Sequence, residues 1–265
     1  VLNMWVQAKD NGYMDMAKWK ACEVKELPID VTGRPVYVGF DLSSKIDLTS
    51  VAFIIPYQST DLDAQGKPVV KYVMWTHSFI PTADKLREHI IKDKMPYDAW
   101  ERLGYLTLTN TPIVDQNFVM KYILDECEKY NLDIQCLCFD PANASKIMMD
   151  LSDQGYTVEE VFQSHKSLNE STQGFREQVF AGNVAYTHNP LLNYAMSNAV
   201  IRTNNGLIKM PLQSELTRLT QHWRHLSWHY TMILKRKISM IMLQNFWRKL
   251  DNGILECSQR NNLPE

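Results

Sequence analysis

Several features are missing from this 265-residue chain, and each absence removes a class of function. No apolar run reaches the ~18 residues of a membrane-crossing helix, so no span and no membrane partner are expected. Glycine and proline are sparse, at 10 and 11 residues, and nothing repeats, which rules out collagen-like or low-complexity structure. The 5 cysteines (Cys22, Cys127, Cys136, Cys138 and Cys257) are odd in number and form no Cys-x-x-Cys pair. A disulfide framework is therefore excluded, and free buried thiols in a reducing, cytoplasmic setting are expected. Neither sign of charge dominates: 28 Lys+Arg face 30 Asp+Glu, for a formal net charge of -2. A DNA partner must then be held by a local patch or through metal ions rather than by bulk basicity. The Gly-rich phosphate loop that ends in Gly-Lys-Ser/Thr is also missing.

What is present suits a packed α/β domain. Hydrophobic residues make up 45% and aromatics 11% of the chain. The opening residues, 1–28, read as mid-protein, with Met14, Met16, Trp19 and Cys22 along one side of a short helix. Three β-rich runs follow at 36–42, 51–56 and 69–80, the last two separated by the turn-like 61–68, and they predict an antiparallel meander. Helices are expected at 84–94, 97–103, 115–130, 144–154 and 169–181, with Asp115 as an N-cap. Strands are expected at 105–109, 134–139 and 156–162. Strands alternating with helices call for right-handed crossovers onto a partly parallel sheet. The order is that of a ribonuclease-H-like mixed sheet flanked by helices.

Two carboxylates share a position: Asp41 and Asp140 each stand just past an apolar strand. If the meander's first strand pairs in parallel with the later one, the two acids are neighbours. Like charges that close repel unless a cation sits between them, and a hard, oxygen-liganded ion such as Mg²⁺ or Mn²⁺ suits the pair. Two ions would be arranged for in-line attack on a phosphodiester. The same residues also suit turns: Asp140 to Asn143 can cap the next helix, and Asp47 can close the first hairpin. Spacing alone leaves both readings open. Tyr72, Trp75 and Phe79 alternate poorly for a base-stacking platform and are read as packing, and Cys136 and Cys138 as small hydrophobes in a buried strand.

Gly39-Phe40-Asp41-Leu42-Ser43-Ser44, followed by Asp47-Leu48-Thr49-Ser50, resembles the first nuclease motif of tailed-phage terminase large subunits, most closely the HK97-like branch. Phe139-Asp140-Pro141 resembles the second acidic motif. Trp5, Trp19 and Cys22, then Gln163-Ser164, Leu168-Asn169, Phe175 and the run from His188 to Asn193, resemble flanking signatures. The resemblance covers roughly residues 1–210. It implies a ribonuclease-H-like endonuclease that cuts concatemeric viral DNA with two divalent ions. Asp41 would bridge both ions, Asp140 would bind one, and Asp47 would make an outer-shell contact. It also implies double-stranded DNA, a portal protein and a small terminase subunit as partners, and a phage or prophage gene expressed in a bacterial cytoplasm. The expected division is a segment from a missing upstream ATPase domain (1–30), the nuclease domain (31–210) and an atypical tail (211–265). Lys166, Arg176, Arg202 and Lys209 are candidate DNA contacts.

After Lys209 the chain departs from that family's pattern, which calls for a third acid in an Ile-Asp-x-x-Asp-Ala-like motif and an amphipathic helix. Read one frame over, the codons from Gln213 onward permit such a motif; His222-Trp223 must then read as Leu and Trp228-His229 as Ala. The tail is therefore expected to be frameshifted from about Met210, with the third ligand missing and activity weak or lost. Glu215, Asp251 and Glu256 are substitutes without supporting context, and His222, His225 and His229 form a decoy zinc spacing. The alternatives are a non-catalytic DNA- or portal-docking remnant, and an actin-like kinase. Leu42-Ser43-Ser44 argues against the kinase, because it offers no glycine for close phosphate approach.

Overall fold

The structure, a computed structural model, describes residues 12–41, 48–139, 145–161 and 164–209. The expectations for the tail after Lys209, including its three histidines and three acids, lie outside them.

The fold begins where a linker was expected. Asp15 caps helix α1 (Met16–Lys20), its Oδ1 accepting from the amides of Ala17 at 2.8 Å and Lys18 at 3.2 Å. Strand β1 (Glu23–Val24) then joins the main sheet. The expected meander follows as β2 (Pro35–Asp41), β3 (Thr49–Leu62) and β4 (Pro68–Ile80), which pair in antiparallel sequence. Its long hairpin closes through Asp63, whose Oδ1 accepts from the amides of Gln65 and Lys67, and through Gly66, whose φ of 74° lies in the left-handed region.

Helices α2 (Ala83–Asp93) and α3 (Tyr97–Arg102), strand β5 (Leu106–Leu108) and helix α4 (Gln116–Lys129) follow, α4 being capped by Asp115 as its sequence requires. Then come β6 (Asp133–Phe139), α5 (Ser145–Asp153), β7 (Val158–Glu160), α6 (His165–Phe180), β8 (Val184–Thr187), α7 (Pro190–Asn198) and a separate hairpin, β9 (Arg202–Asn204) with β10 (Leu207–Lys209). Helix α6 starts four residues before the expected 169, because Leu168 already belongs to the buried stripe it shares with Phe175 and Val179. Strands β1 and β8 were not anticipated; runs of two and four residues carry too little periodicity to register.

The sheet order is β1-β8-β4-β3-β2-β6-β7, with β5 also paired to β4. Every pairing except those of β3 is parallel, so seven strands point their C-terminal ends the same way. This is a ribonuclease-H-like mixed sheet with flanking helices. Both pleats are buried. On one, Val36, Val38, Phe40, Val51, Phe53, Leu137 and Phe139 pack with Val119, Ile123 and Cys127 of α4 and with Ile147 and Leu151 of α5. On the other lie Ile54, Tyr72, Met74, Cys136 and Cys138. Tyr72 and Phe79 are core residues and Trp75 stacks on Phe53 at 5.1 Å, the packing role expected of them.

A polar network ties the first elements to α7. Asn193 Oδ1 accepts from Trp19 Nε1 at 2.7 Å and from the Tyr186 hydroxyl at 2.9 Å, while its Nδ2 donates to Glu23 at 2.9 Å. The Trp19 and Tyr186 rings stack at 4.1 Å, and His188 Nδ1 lies 2.7 Å from the other Glu23 oxygen. Burial pulls the Glu23 carboxyl upward, but the bonds from Asn193 and His188 outweigh it and hold the group below its ordinary value. Asn193→Leu removes the acceptor that Trp19 Nε1 and the Tyr186 hydroxyl share and the donor to Glu23. It should destabilise the fold by roughly 2–4 kcal/mol in urea unfolding; a loss below about 0.5 kcal/mol would show that the network does not hold the segment.

Candidate active site at the strand ends

Ligands of open α/β sheets sit beyond the C-terminal ends of the strands. Here β2 and β6 run side by side in register from Tyr37 opposite Cys136 to Phe40 opposite Phe139. The two phenylalanines are fully buried, with ring centroids 4.8 Å apart, and they pin the two strand ends together. Asp41 is the last residue of β2 and pairs with Ser50 of β3. Asp140 follows Phe139 directly in sequence; it and Asp47 lie outside the described residues, as does the Asp41 side chain.

Around this end the sheet carries polar groups where a core would carry methyls. Ser50 pairs with Ser78, both are buried, and their hydroxyls are 3.4 Å apart. Across β6, the register puts Glu159 opposite Cys138 and Glu160 opposite Phe139, and the Val161 amide donates to the Phe139 carbonyl at 2.9 Å. Helix α6 starts at His165, whose Nε2 is buried without a hydrogen-bond partner. Among the described residues no group of three or more His, Cys, Asp or Glu is close enough to hold a metal by itself.

Other titratable groups do not compete for a catalytic role. His77 is 7% exposed, stacked on Tyr122 at 4.5 Å and hydrogen-bonded through Nε2 to the Thr107 hydroxyl at 2.8 Å; burial lowers its pKa to about 4, so it is neutral at physiological pH. Burial pushes the Cys127 thiol up to about 12, and Cys136 and Cys138 are fully buried, as expected of small hydrophobes. A cleft of about 390 Å³, lined by Cys127, Glu128, Asp133 and Tyr156 among others, opens at the N-terminal end of β6, away from the strand ends. Of the candidate DNA contacts, Lys166 is exposed and Arg176 partly buried; Arg202 and Lys209 are register partners in the β9–β10 hairpin.

Known proteins resemble this chain over most of its length. Residues 1–217 match the family model described as terminase large subunit, endonuclease domain. The chain belongs to that family. It is 23% identical over 208 residues to protein YmfN of Escherichia coli strain K12, covering 77% of this chain and 44% of that protein. It is 28% identical over 191 residues to the terminase large subunit of Enterobacteria phage HK97, covering 71% of this chain and 35% of that protein. The chain thus matches less than half the length of these relatives. The crystal structure of the HK97 large terminase shares the fold, with a TM-score of 0.65 at 23% identity over 82% of this chain and 43% of that one.

Two signals of the terminase nuclease resemblance acquire physical roles here. Asn189 caps α7, its Oδ1 accepting from the Leu192 amide at 3.0 Å and its Nδ2 reaching the Thr76 carbonyl and hydroxyl; Asn193 anchors the network with Glu23. Sequence reasoning placed this run in a signature without seeing that it is structural.

The neutral His77 makes stability depend on pH. An unfolded chain protonates this histidine near its ordinary 6.5 and the folded one near 4, so acidification between those values favours unfolding. Moving from pH 7.5 to pH 5 should remove about 2 kcal/mol through this residue. Urea unfolding of wild type and His77→Gln at both pH values measures it; an unchanged pH dependence in the variant would assign the loss elsewhere.

Proposed function

We propose that the chain is a metal-dependent DNA endonuclease domain of the phage-packaging terminase large subunit, with Asp41 and Asp140 as ligands for Mg²⁺ or Mn²⁺. The observation that supports it is the register of Phe40 with Phe139, since each acid is the next residue along. Paired strands lie about 4.8 Å apart and one peptide step is about 3.8 Å. Carboxylates so tethered repel unless a cation joins them. The donor chemistry fits a hard divalent ion: oxygen ligands on adjoining strand ends, with the buried hydroxyls of Ser50 and Ser78 beside position 41 and the thiols of Cys136 and Cys138 buried in the sheet.

When bound, a pair of such ions stabilises the attacking and leaving oxygens of an in-line phosphodiester displacement. The chain's own residues hold and orient. Asp41, whose backbone pairs with Ser50, and Asp140 would hold the ions, and Asp47 would make an outer-shell contact. Lys166, with Arg202 and Lys209, meets the phosphate backbone of double-stranded DNA. An upstream ATPase domain supplies the motor, a portal protein and a small terminase subunit position the enzyme, and cutting of concatemeric DNA takes place in the bacterial cytoplasm.

The tail from about Met210 is read as a shifted frame. The third acid is then missing from its usual element and activity is low. That departure also favours the second reading, a non-catalytic DNA- or portal-docking remnant. Slow nicking of supercoiled plasmid in Mn²⁺ is expected, abolished by EDTA and reduced at least 100-fold in Asp41→Asn. Nicking that survives the substitution would remove Asp41 from the mechanism; absence of both nicking and Mn²⁺ binding would leave the docking remnant. The coding DNA after Lys209, read one frame over, should encode the acidic motif and its helix, and stop codons there would refute the shift.

A further inference from the structure

We propose that His188, oriented by Glu23 and accompanied by Lys20 and Lys25, binds a backbone phosphate of double-stranded DNA at the β1–β8 side of the sheet. The choice of DNA as ligand rests on the nuclease reading just given, but no part of the patch involves Asp41 or Asp140.

His188 is the first residue past β8, and β1 pairs beside that strand with Glu23 opposite Tyr186. One Glu23 oxygen accepts from Asn193 Nδ2 at 2.9 Å, and the other lies 2.7 Å from His188 Nδ1. Glu23 is held below its ordinary value and is a carboxylate, which only accepts, so Nδ1 carries the hydrogen. The Tyr105 ring stands edge-on to the imidazole, with centroids 6.4 Å apart, and limits its rotation. The His188 side chain is 61% exposed, and among the described residues nothing engages its Nε2. One ring nitrogen is thus fixed and the other is presented to solvent.

Two ligand chemistries suit an imidazole held this way. The neutral ring offers a metal the Nε2 lone pair, and the protonated ring offers an anion an Nε2–H donor. A metal needs further ligands, and among the described residues no three His, Cys, Asp or Glu gather to supply them. An anion finds more support. Segment 16–27 sets Lys18, Lys20 and Lys25 against Glu23 and Glu26, and the three lysines are exposed and in no ion pair among the described residues. Lys20 is close enough to Glu23 to help hold that carboxyl ionised, and Lys25 follows β1 directly. With Glu23 on one nitrogen and a phosphate oxygen on the other, the imidazolium is favoured. Several separate cations suit a polyanion, whose successive phosphates engage them in turn.

Binding of a fluorescent duplex to the full chain, followed by anisotropy in EDTA over a range of salt, tests the patch without any metal. His188→Asn keeps an amide that can donate to Glu23 in place of Nδ1, and removes Nε2. It should leave the urea midpoint unchanged, weaken binding roughly fivefold and make the salt slope shallower by about 0.9, the signature of one lost phosphate contact. Lys20→Gln should also weaken binding, whereas Lys67→Gln, which removes the same charge from the distant β3–β4 turn, should not. An unchanged slope in His188→Asn, or equal losses in the two lysine variants, overturns the patch and leaves the nuclease reading standing. Should His188→Asn lower the urea midpoint, Lys20→Gln decides instead, and undiminished binding in that variant overturns the patch. Displacement of the duplex by inorganic phosphate at matched ionic strength would make the free anion the ligand and overturn the DNA assignment. A wild-type chain that binds no duplex in EDTA also overturns the patch; only a failure to nick plasmid in Mn²⁺ reaches the nuclease reading.

Discussion

The parallel pairing of β2 with β6 is the constraint on which the rest of the molecule depends. Parallel neighbours need a long connection, and here it comprises two further strands of the meander, β5 and three helices, with α4 packed on the core pleat. Apolar burial closes it: Val36, Val38 and Phe40 on one strand and Leu137 and Phe139 on the other share one cluster with α4 and α5. The buried contact between Phe40 and Phe139 fixes the last register step before the two acids. A slip by a single residue would exchange the pleats of the two strands, so the core protects the register at this end of the sheet.

A second, smaller constraint keeps the N-terminal segment on the sheet. Trp19, Glu23, Tyr186 and Asn193 form a network in which a single amide satisfies two donors and one acceptor. Buried polar groups of this kind specify one arrangement because every alternative leaves some of them unpaired. Residues 13–24 are accordingly held on the sheet. The His188–Asn193 run, which helped reveal the family, works as a cap and an anchor.

Under the proposed function, near-neutral charge and nuclease chemistry are compatible because bound metal would supply the local positive charge. With a formal net charge of -2, the chain has no general attraction for DNA. Cations held by clustered carboxylates reverse the local sign where the phosphate must sit, and a few lysines and arginines then suffice to align the backbone. Such a device is sensitive to its ligand count.

Local pattern alone determined the meander, the strand-helix alternation, the Asp115 cap and the position of Asp41 at the end of an apolar run. Each follows from interactions within a few residues: alternation, helical period or a side chain bonding its own backbone. Sequence also exposed the family. It did not reveal β1 and β8, the early start of α6 or the role of Asn193. Those depend on which distant strand lies alongside and in what register, as when Cys138 meets Glu159. A periodicity assigns each residue to one of two faces, but only tertiary pairing and the burial that locks it decide what the face meets.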